Sequence, residues 1–266
     1  MSRPLEGRAA VVTGALGRLG PIWCEALLEA GAMVYALDLP DAASSPGFRA
    51  LRQRAGERLT ALPADVLHRA SLLEARERCE RDGTVPSILV NNAGIDQPPG
   101  PAVTWRLEDI PLEVFRRTTD VNLAGAFAAA QVFGPAMVRA GRGAIVNIGS
   151  LYASVSPDQR LYDHLPADPP FLKPPAYGAS KAGLINLTRY LATHWGPTGV
   201  RVNALSPGGV EGDQDPEFKR KFIARVPLGR MARPEDLGGA LIFLASDASS
   251  YVTGIELRVD GGFTSW

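Results

Sequence analysis

Seven short apolar runs recur along the chain, with stretches of helical pattern between them, and this alternation limits the fold more than any other feature. The runs are AAVVT (9–13), MVYALD (33–38), LTALP (59–63), ILVNN (88–92), AIVNIG (144–149), VRVNALS (200–206) and IELRVD (255–260). Most are too continuously apolar to leave one face in water, which marks parallel strands covered by helices on both sides. Helical patterns lie between them at roughly 17–30, 67–82, 107–141, 176–195 and 234–245. Repeated strand–helix–strand units imply right-handed crossovers and a doubly wound α/β fold. No linker or shift in composition divides residues 1–266, so one domain is expected.

Charge and cysteine content narrow the function. Lys+Arg and Asp+Glu are both 28, a balance that offers neither a nucleic-acid footprint nor a membrane-surface patch. The N-terminal MSRPLEGRAAVVTG enters a strand almost at once, leaving no room for a signal peptide, and no apolar run is expected to span a membrane. Cys24 and Cys79 form neither a disulfide framework nor a metal spacing, which fits a reduced, cytoplasmic protein. The histidines 68, 164 and 194 show no metal-binding spacing, so no metal requirement is expected. VNLAGAFAAAQVFGPAM (121–137) is apolar almost all round; it is either covered within the domain or forms a subunit interface.

A dinucleotide site is written at the strand ends. The first strand runs into TGALGRLG (13–20) and then a helix, with Gly14, Gly17 and Gly20 spaced to let the backbone approach a pyrophosphate at a helix N-terminus. Leu19 belongs to the same turn. The next strand ends in Asp38, followed by Leu39. A carboxylate there can bond the adenosine ribose hydroxyls and would repel a 2′-phosphate, which favours NAD over NADP. Arg18 points the other way, since a guanidinium can receive that phosphate. Asp65-Val66 and the Asn92-Ala93-Gly94 of NNAG also end strands, on the edge where such sheets bind ligands.

Tyr177 and Lys181 lie four apart on a helix and share a face. A cation near a tyrosine favours its phenolate, turning a poor acid/base at neutral pH into a usable one. Only four lysines are present among 28 basic residues, so the choice of lysine at 181 points to a need for an ammonium. Ser150 ends a strand on the same edge, where its hydroxyl can hold a substrate carbonyl oxygen. Asn122, a mediocre helix former inside a helical pattern, can either hold a water that links Lys181 to solvent or mark a locally satisfied irregularity.

Taken together, TGALGRLG, Asp65-Val66, NNAG, Asn122, IVNIGS, YGASK, RVNALSPGGV (201–210) and the tail 227–262 resemble the single-domain branch of the short-chain dehydrogenase/reductase family over essentially the whole chain. The resemblance implies a Rossmann-like sheet of seven parallel strands, a homotetramer or homodimer built on the long helices, and an Asn122–Ser150–Tyr177–Lys181 catalytic set. In that scheme Tyr177 is the general acid/base, Lys181 lowers its pKa and binds ribose, Ser150 positions the oxygen, and Asn122 supports a proton relay. Pro207, Gly208 and Val210 would border the nicotinamide. Two positions depart from the family pattern: Arg18 stands where the middle glycine is usual, and Gly212 near the place of a common threonine.

A third departure is an insertion at about 153–175. From Ser150 to Tyr177 is 27 residues, about twice the usual family distance, with prolines at 157, 166, 169, 170, 174 and 175. Both ends are pinned beside the reacting carbon, so a substrate role is expected; packing on a neighbouring subunit is the alternative. Asp158, Tyr162 and His164 are its candidate substrate contacts, suited to a hydroxylated, sugar-like compound. TGALGRLG with an insertion beginning SPD is also similar to bacterial reductases of surface-sugar and nonulosonate pathways. The expected activity is thus NAD-linked alcohol/ketone oxidoreduction. A non-catalytic dinucleotide sensor and an epimerase or dehydratase that recycles its hydride are the competing classes.

Overall fold

Burial of period two builds the sheet. In β1 (Ala9–Thr13), Ala10 and Val12 feed one apolar cluster and Ala9 and Val11 the other. In β2 (Met33–Asp38), Val34 and Ala36 oppose Tyr35 and Leu37 in the same way. With β3 (Leu59–Pro63), β4 (Ile88–Asn91), β5 (Gly143–Ile148), β6 (Val200–Pro207) and β7 (Glu256–Val259) they form one sheet in the order β3-β2-β1-β4-β5-β6-β7. Every neighbouring pair is parallel. The computed structural model describes residues 3–97 and 104–266.

The helices are α1 (Gly20–Glu29), α2 (Pro46–Ala55), α3 (Arg69–Arg81), α4 (Leu112–Thr119), α5 (Gly125–Arg139), α6 (Pro175–Trp195), α7 (Pro216–Ile223) and α8 (Glu235–Ala245). On one face Trp23 and Leu27 of α1 share a core with Leu237 and Leu241 of α8 and Phe48 of α2. On the other, Leu72 of α3, Phe133 of α5 and Leu191 of α6 close the second core. Each such leucine, taken from water, contributes roughly 2 kcal/mol. Cys24 and Cys79 are free and buried, and burial pushes both thiols up to about 12.

The segment expected as one helix over 107–141 is broken. Leu107–Asp109 is a separate 3₁₀ turn, Pro111 precedes α4, and Asp120–Ala124 forms a π-helical turn before α5. Contrary to the expectation from sequence, the run Leu112–Arg139 is long and apolar enough by length and composition to cross a membrane. Here it packs on α3, α6, β4 and β5. Its own chain covers most of 121–137 and leaves Ala124, Phe127 and Gln131 exposed as a narrow outward stripe.

Two helices were not anticipated. Ser45 caps α2, its hydroxyl accepting from Phe48 N at 3.1 Å, and Asp215 caps α7 by accepting from Glu217 N and Phe218 N. α7 lies against the inserted segment. Leu161 and Tyr162 of the insertion join Leu151, Phe222, Val226, Met231 and Phe263 in a third apolar cluster.

Candidate active site

Strand order reverses between β1 and β4, so the connections that leave their carboxyl ends run to opposite sides and leave a crevice above the edge. A cleft of about 470 Å³ opens there, lined by the glycine turn, Asp38, Asp65, the NNAG segment, Tyr177 and Lys181. Thr13, at the end of β1, receives the N–H groups of Asn92 and Ala93 on its hydroxyl at 3.2 and 3.1 Å. Asn92 donates back to the Thr13 and Gly14 carbonyls and accepts from the Trp23 indole at 2.8 Å. Gly14 is needed twice: its φ is +63°, and a β-carbon would fall 2.6 Å from Ala93 Cα.

Asp38 stands at one end of the cleft. One carboxylate oxygen accepts Leu16 N–H at 2.7 Å and the other Leu39 N–H at 2.8 Å. Each oxygen keeps a lone pair for a ligand hydroxyl. Arg18 does not turn toward Asp38. It turns to the segment after β6, where its guanidinium donates to the Val210 carbonyl at 2.8 Å. A β-carbon at Gly212 would lie 2.4 Å from Arg18 Nη2, so the arginine fills the space a side chain at 212 would take. The two departures from the family pattern are therefore one structural exchange.

At the other end α6 carries Tyr177 and Lys181. The Lys181 ammonium, 4 % exposed, donates to the Ile148 carbonyl at 2.8 Å and sits 5.8 Å from the Tyr177 ring centroid. Burial lowers its pKa to about 8, with Asp96 pulling upward. The Tyr177 phenol is displaced the other way: burial raises it first, the Asp96 charge second, while the Ser150 hydroxyl opposes both. Contrary to the expectation that Lys181 lowers the Tyr177 pKa, the net direction is upward, because desolvation of the phenolate is the largest influence. Asn122, fully buried in the π turn, accepts from Ile95 N at 2.7 Å and donates to the Ile95 carbonyl and to Ser180 Oγ. It is a locally satisfied brace between the NNAG segment and α6.

A family model described as enoyl-(acyl carrier protein) reductase matches residues 19–264. The chain belongs to the short-chain dehydrogenase/reductase family. It is 36% identical over 268 residues to galactitol 2-dehydrogenase of Rhizobium johnstonii, covering 98% of this chain and 97% of that one. A short-chain dehydrogenase of Leptospira borgpetersenii with bound NAD+ superposes with a TM-score of 0.85 at 34% identity, over 99% of this chain and 95% of that one. A gluconate 5-dehydrogenase from Burkholderia cenocepacia, in complex with NADP and tartrate, gives 0.84 at 30% identity over 100% and 98%. The relatives named here include a galactitol and a gluconate dehydrogenase.

Within this short-chain dehydrogenase/reductase, Gly14, Gly17, Arg18, Leu19, Asp38, Leu39, Asp65, Val66, Asn92, Ala93 and Gly94 line the cleft together with Tyr177 and Lys181. Gly20 starts α1 behind them, Pro207 ends β6, and Gly208 follows it with its N–H on the Val259 carbonyl. The insertion's candidates fall elsewhere. Asp158 clamps Arg160 at 2.8 Å and Arg225 at 2.6 Å, Tyr162 stacks on Phe218 at 5.3 Å, and His164 pairs with Asp215 at 2.7 Å. These polar groups hold the insertion to α7 and its flanks, and none lines the cleft. Asp96 and Arg117, which do line it, and Lys173, which pairs with Asp96, were missed. The rarity of lysine that singled out 181 applied equally to 173.

Proposed function

We propose that the chain is an NAD(H)-dependent dehydrogenase that interconverts a secondary alcohol and a ketone on a polyhydroxylated, sugar-like compound, with Tyr177 as general acid/base. The observation that carries this is the convergence of Tyr177, Lys181 and Asp38 on one cleft beside Ser150. The residues present fit a dinucleotide: a glycine turn with no β-carbon at Gly14, a carboxylate at one end and a buried ammonium at the other. Gly14, Gly17 and Leu19 would hold its pyrophosphate, Asp38 its adenosine ribose and Lys181 its second ribose.

When bound, the nicotinamide takes or supplies the hydride. Ser150 donates to the substrate oxygen and fixes it against the phenol. In the oxidation direction Tyr177 takes the hydroxyl proton; in reduction it returns one. The Lys181 ammonium, protonated below about pH 8, offsets the charge that builds on the phenolate. Asn122 holds the Ile95 backbone and Ser180, and through them the register between the NNAG segment and α6. Its Oδ1 keeps a lone pair for a relay water.

NAD is preferred over NADP in this reading because Asp38, at the cleft, would meet the adenosine ribose while Arg18 is committed to Val210. The NADP of the Burkholderia relative makes NADP the alternative to be tested. Titration of wild type and Asp38→Ala with NADH and NADPH tests the preference. NADH should bind more tightly to wild type, and the variant should narrow the gap; tighter NADPH binding by wild type would overturn it. Activity is tested by following NADH formation with a panel of polyols, and no turnover with any of them would sink the dehydrogenase reading.

A further inference from the structure

The inserted segment delivers one ion pair that this mechanism does not use. Lys173, 6 % exposed, directs its ammonium to Asp96 Oδ2 at 2.5 Å and lies 5.4 Å from the Tyr177 ring centroid. Asp96 follows the NNAG segment and lines the cleft beside Tyr177, with 37 % of its side chain exposed. Its second oxygen accepts only the N–H of the adjacent Gln97 among the described residues, at 2.8 Å.

A carboxylate at this place opposes the chemistry, because its charge works against the Tyr177 phenolate. Lys173 offsets that charge, at the cost of burying an ammonium. Holding the insertion in place is a weak reason for such an arrangement. Three other charged contacts already do so, from Asp158 to Arg225, Asp163 to Lys221 and His164 to Asp215. Replacing a buried ion pair by apolar groups is often neutral for stability. A carboxylate fixed in the same cleft as Tyr177 has a clear use, however, as an acceptor for a substrate hydroxyl.

We propose that Asp96, held in place by Lys173, is the specificity-determining group of the substrate site, accepting a hydrogen bond from a hydroxyl on the carbon next to the one oxidised. The substrate class is then a vicinal diol or polyol rather than a mono-alcohol. This rests on the alcohol-dehydrogenase reading above and deepens it.

The test compares kcat and KM for 1,2-cyclohexanediol and cyclohexanol with NAD, in wild type, Asp96→Asn and Asp96→Asn/Lys173→Met. The double variant leaves no unpaired charge buried, and NADH titration checks that its dinucleotide site is intact. Wild type should prefer the diol by about 10- to 100-fold in kcat/KM, the worth of one hydrogen bond to a charged group. Both variants should lose that preference, chiefly through a higher KM for the diol. A double variant that binds NADH and keeps the wild-type preference overturns the proposal, as does a parallel loss on both substrates. A wild type that oxidises the two equally overturns it and leaves the dehydrogenase reading standing. Oxidation of neither, nor of any polyol, removes that reading first.

Discussion

Replacing Lys181 by methionine should stabilise the protein while it disables it. The lysine is 4 % exposed, and burial lowers its pKa from 10.5 to about 8. A fall of that size corresponds to roughly 3 kcal/mol of folding free energy lost wherever the lysine is protonated in both states. Methionine has similar reach and no charge, so it removes the penalty. It also leaves the Ile148 carbonyl without its donor, which costs about 1 kcal/mol. The net gain is about 2 kcal/mol, or about 4 °C in Tm for a chain of this size. Because the folded pKa lies below the unfolded one, the unfolded chain binds more protons between pH 8 and pH 10.5. This group's contribution to wild-type stability therefore rises through that window. The advantage of the variant should be full below pH 8 and fade toward pH 10.5. Thermal unfolding of both proteins, followed by circular dichroism across this range, reads the difference directly, and groups common to both cancel. A variant less stable than wild type at neutral pH, or an advantage that does not shrink as pH rises, would refute the reasoning. Activity should fall in the same variant, a trade-off expected where a catalytic group is buried against its own preference.

Tyr177→Phe should lower alcohol oxidation by about 10²- to 10⁴-fold with NADH binding unchanged in a fluorescence titration; retained turnover would place the acid/base elsewhere. Gly212→Thr should weaken dinucleotide binding by about 10-fold through its clash with Arg18, and Arg18→Ala should relieve much of that loss. A double-mutant cycle that shows simple additivity would mean the two positions are independent. Self-association through the outer faces of α5 and α6, where Phe127 and Tyr190 are exposed, should give a dimer or tetramer by light scattering. Phe127→Asp with Tyr190→Asp should reduce it to monomers, and an unchanged mass would exclude that face.

The sheet was legible because each buried strand advertises itself by continuous apolar character, which needs no knowledge of its neighbours. α2 and α7 were not, since each buries few side chains; Phe48 and Leu51 are the buried residues of α2, and Phe222 that of α7. Their real signals were the Ser45-Pro46 and Asp215-Pro216 starts. The break in the long helix is a matter of hydrogen-bond register at Asp120–Ala124, to which apolar periodicity is nearly blind. At the site, the strand-end residues were readable because the topology gathers them on one edge. Asp96 and Lys173 are 77 residues apart, and only the folded path of the insertion makes them partners. Asp158, Tyr162 and His164 were read toward substrate with α7 unrecognised, and in the fold they contact its flanks and surface. A polar residue in a loop says that it needs a partner, not which partner.

The insertion and α7 carry complementary halves of the same fastening: Asp158 with Arg225, Asp163 with Lys221, His164 with Asp215, and Tyr162 stacked on Phe218. They are therefore not separable modules. Grafting the insertion alone onto a relative with a shorter connection would strand Asp163 and His164, leave Asp158 with Arg160 alone, and uncover one face of a buried tyrosine. A transplant of substrate preference between members of this family has to carry residues 153–175 and 215–226 together, as one cassette cut from two distant places in the chain.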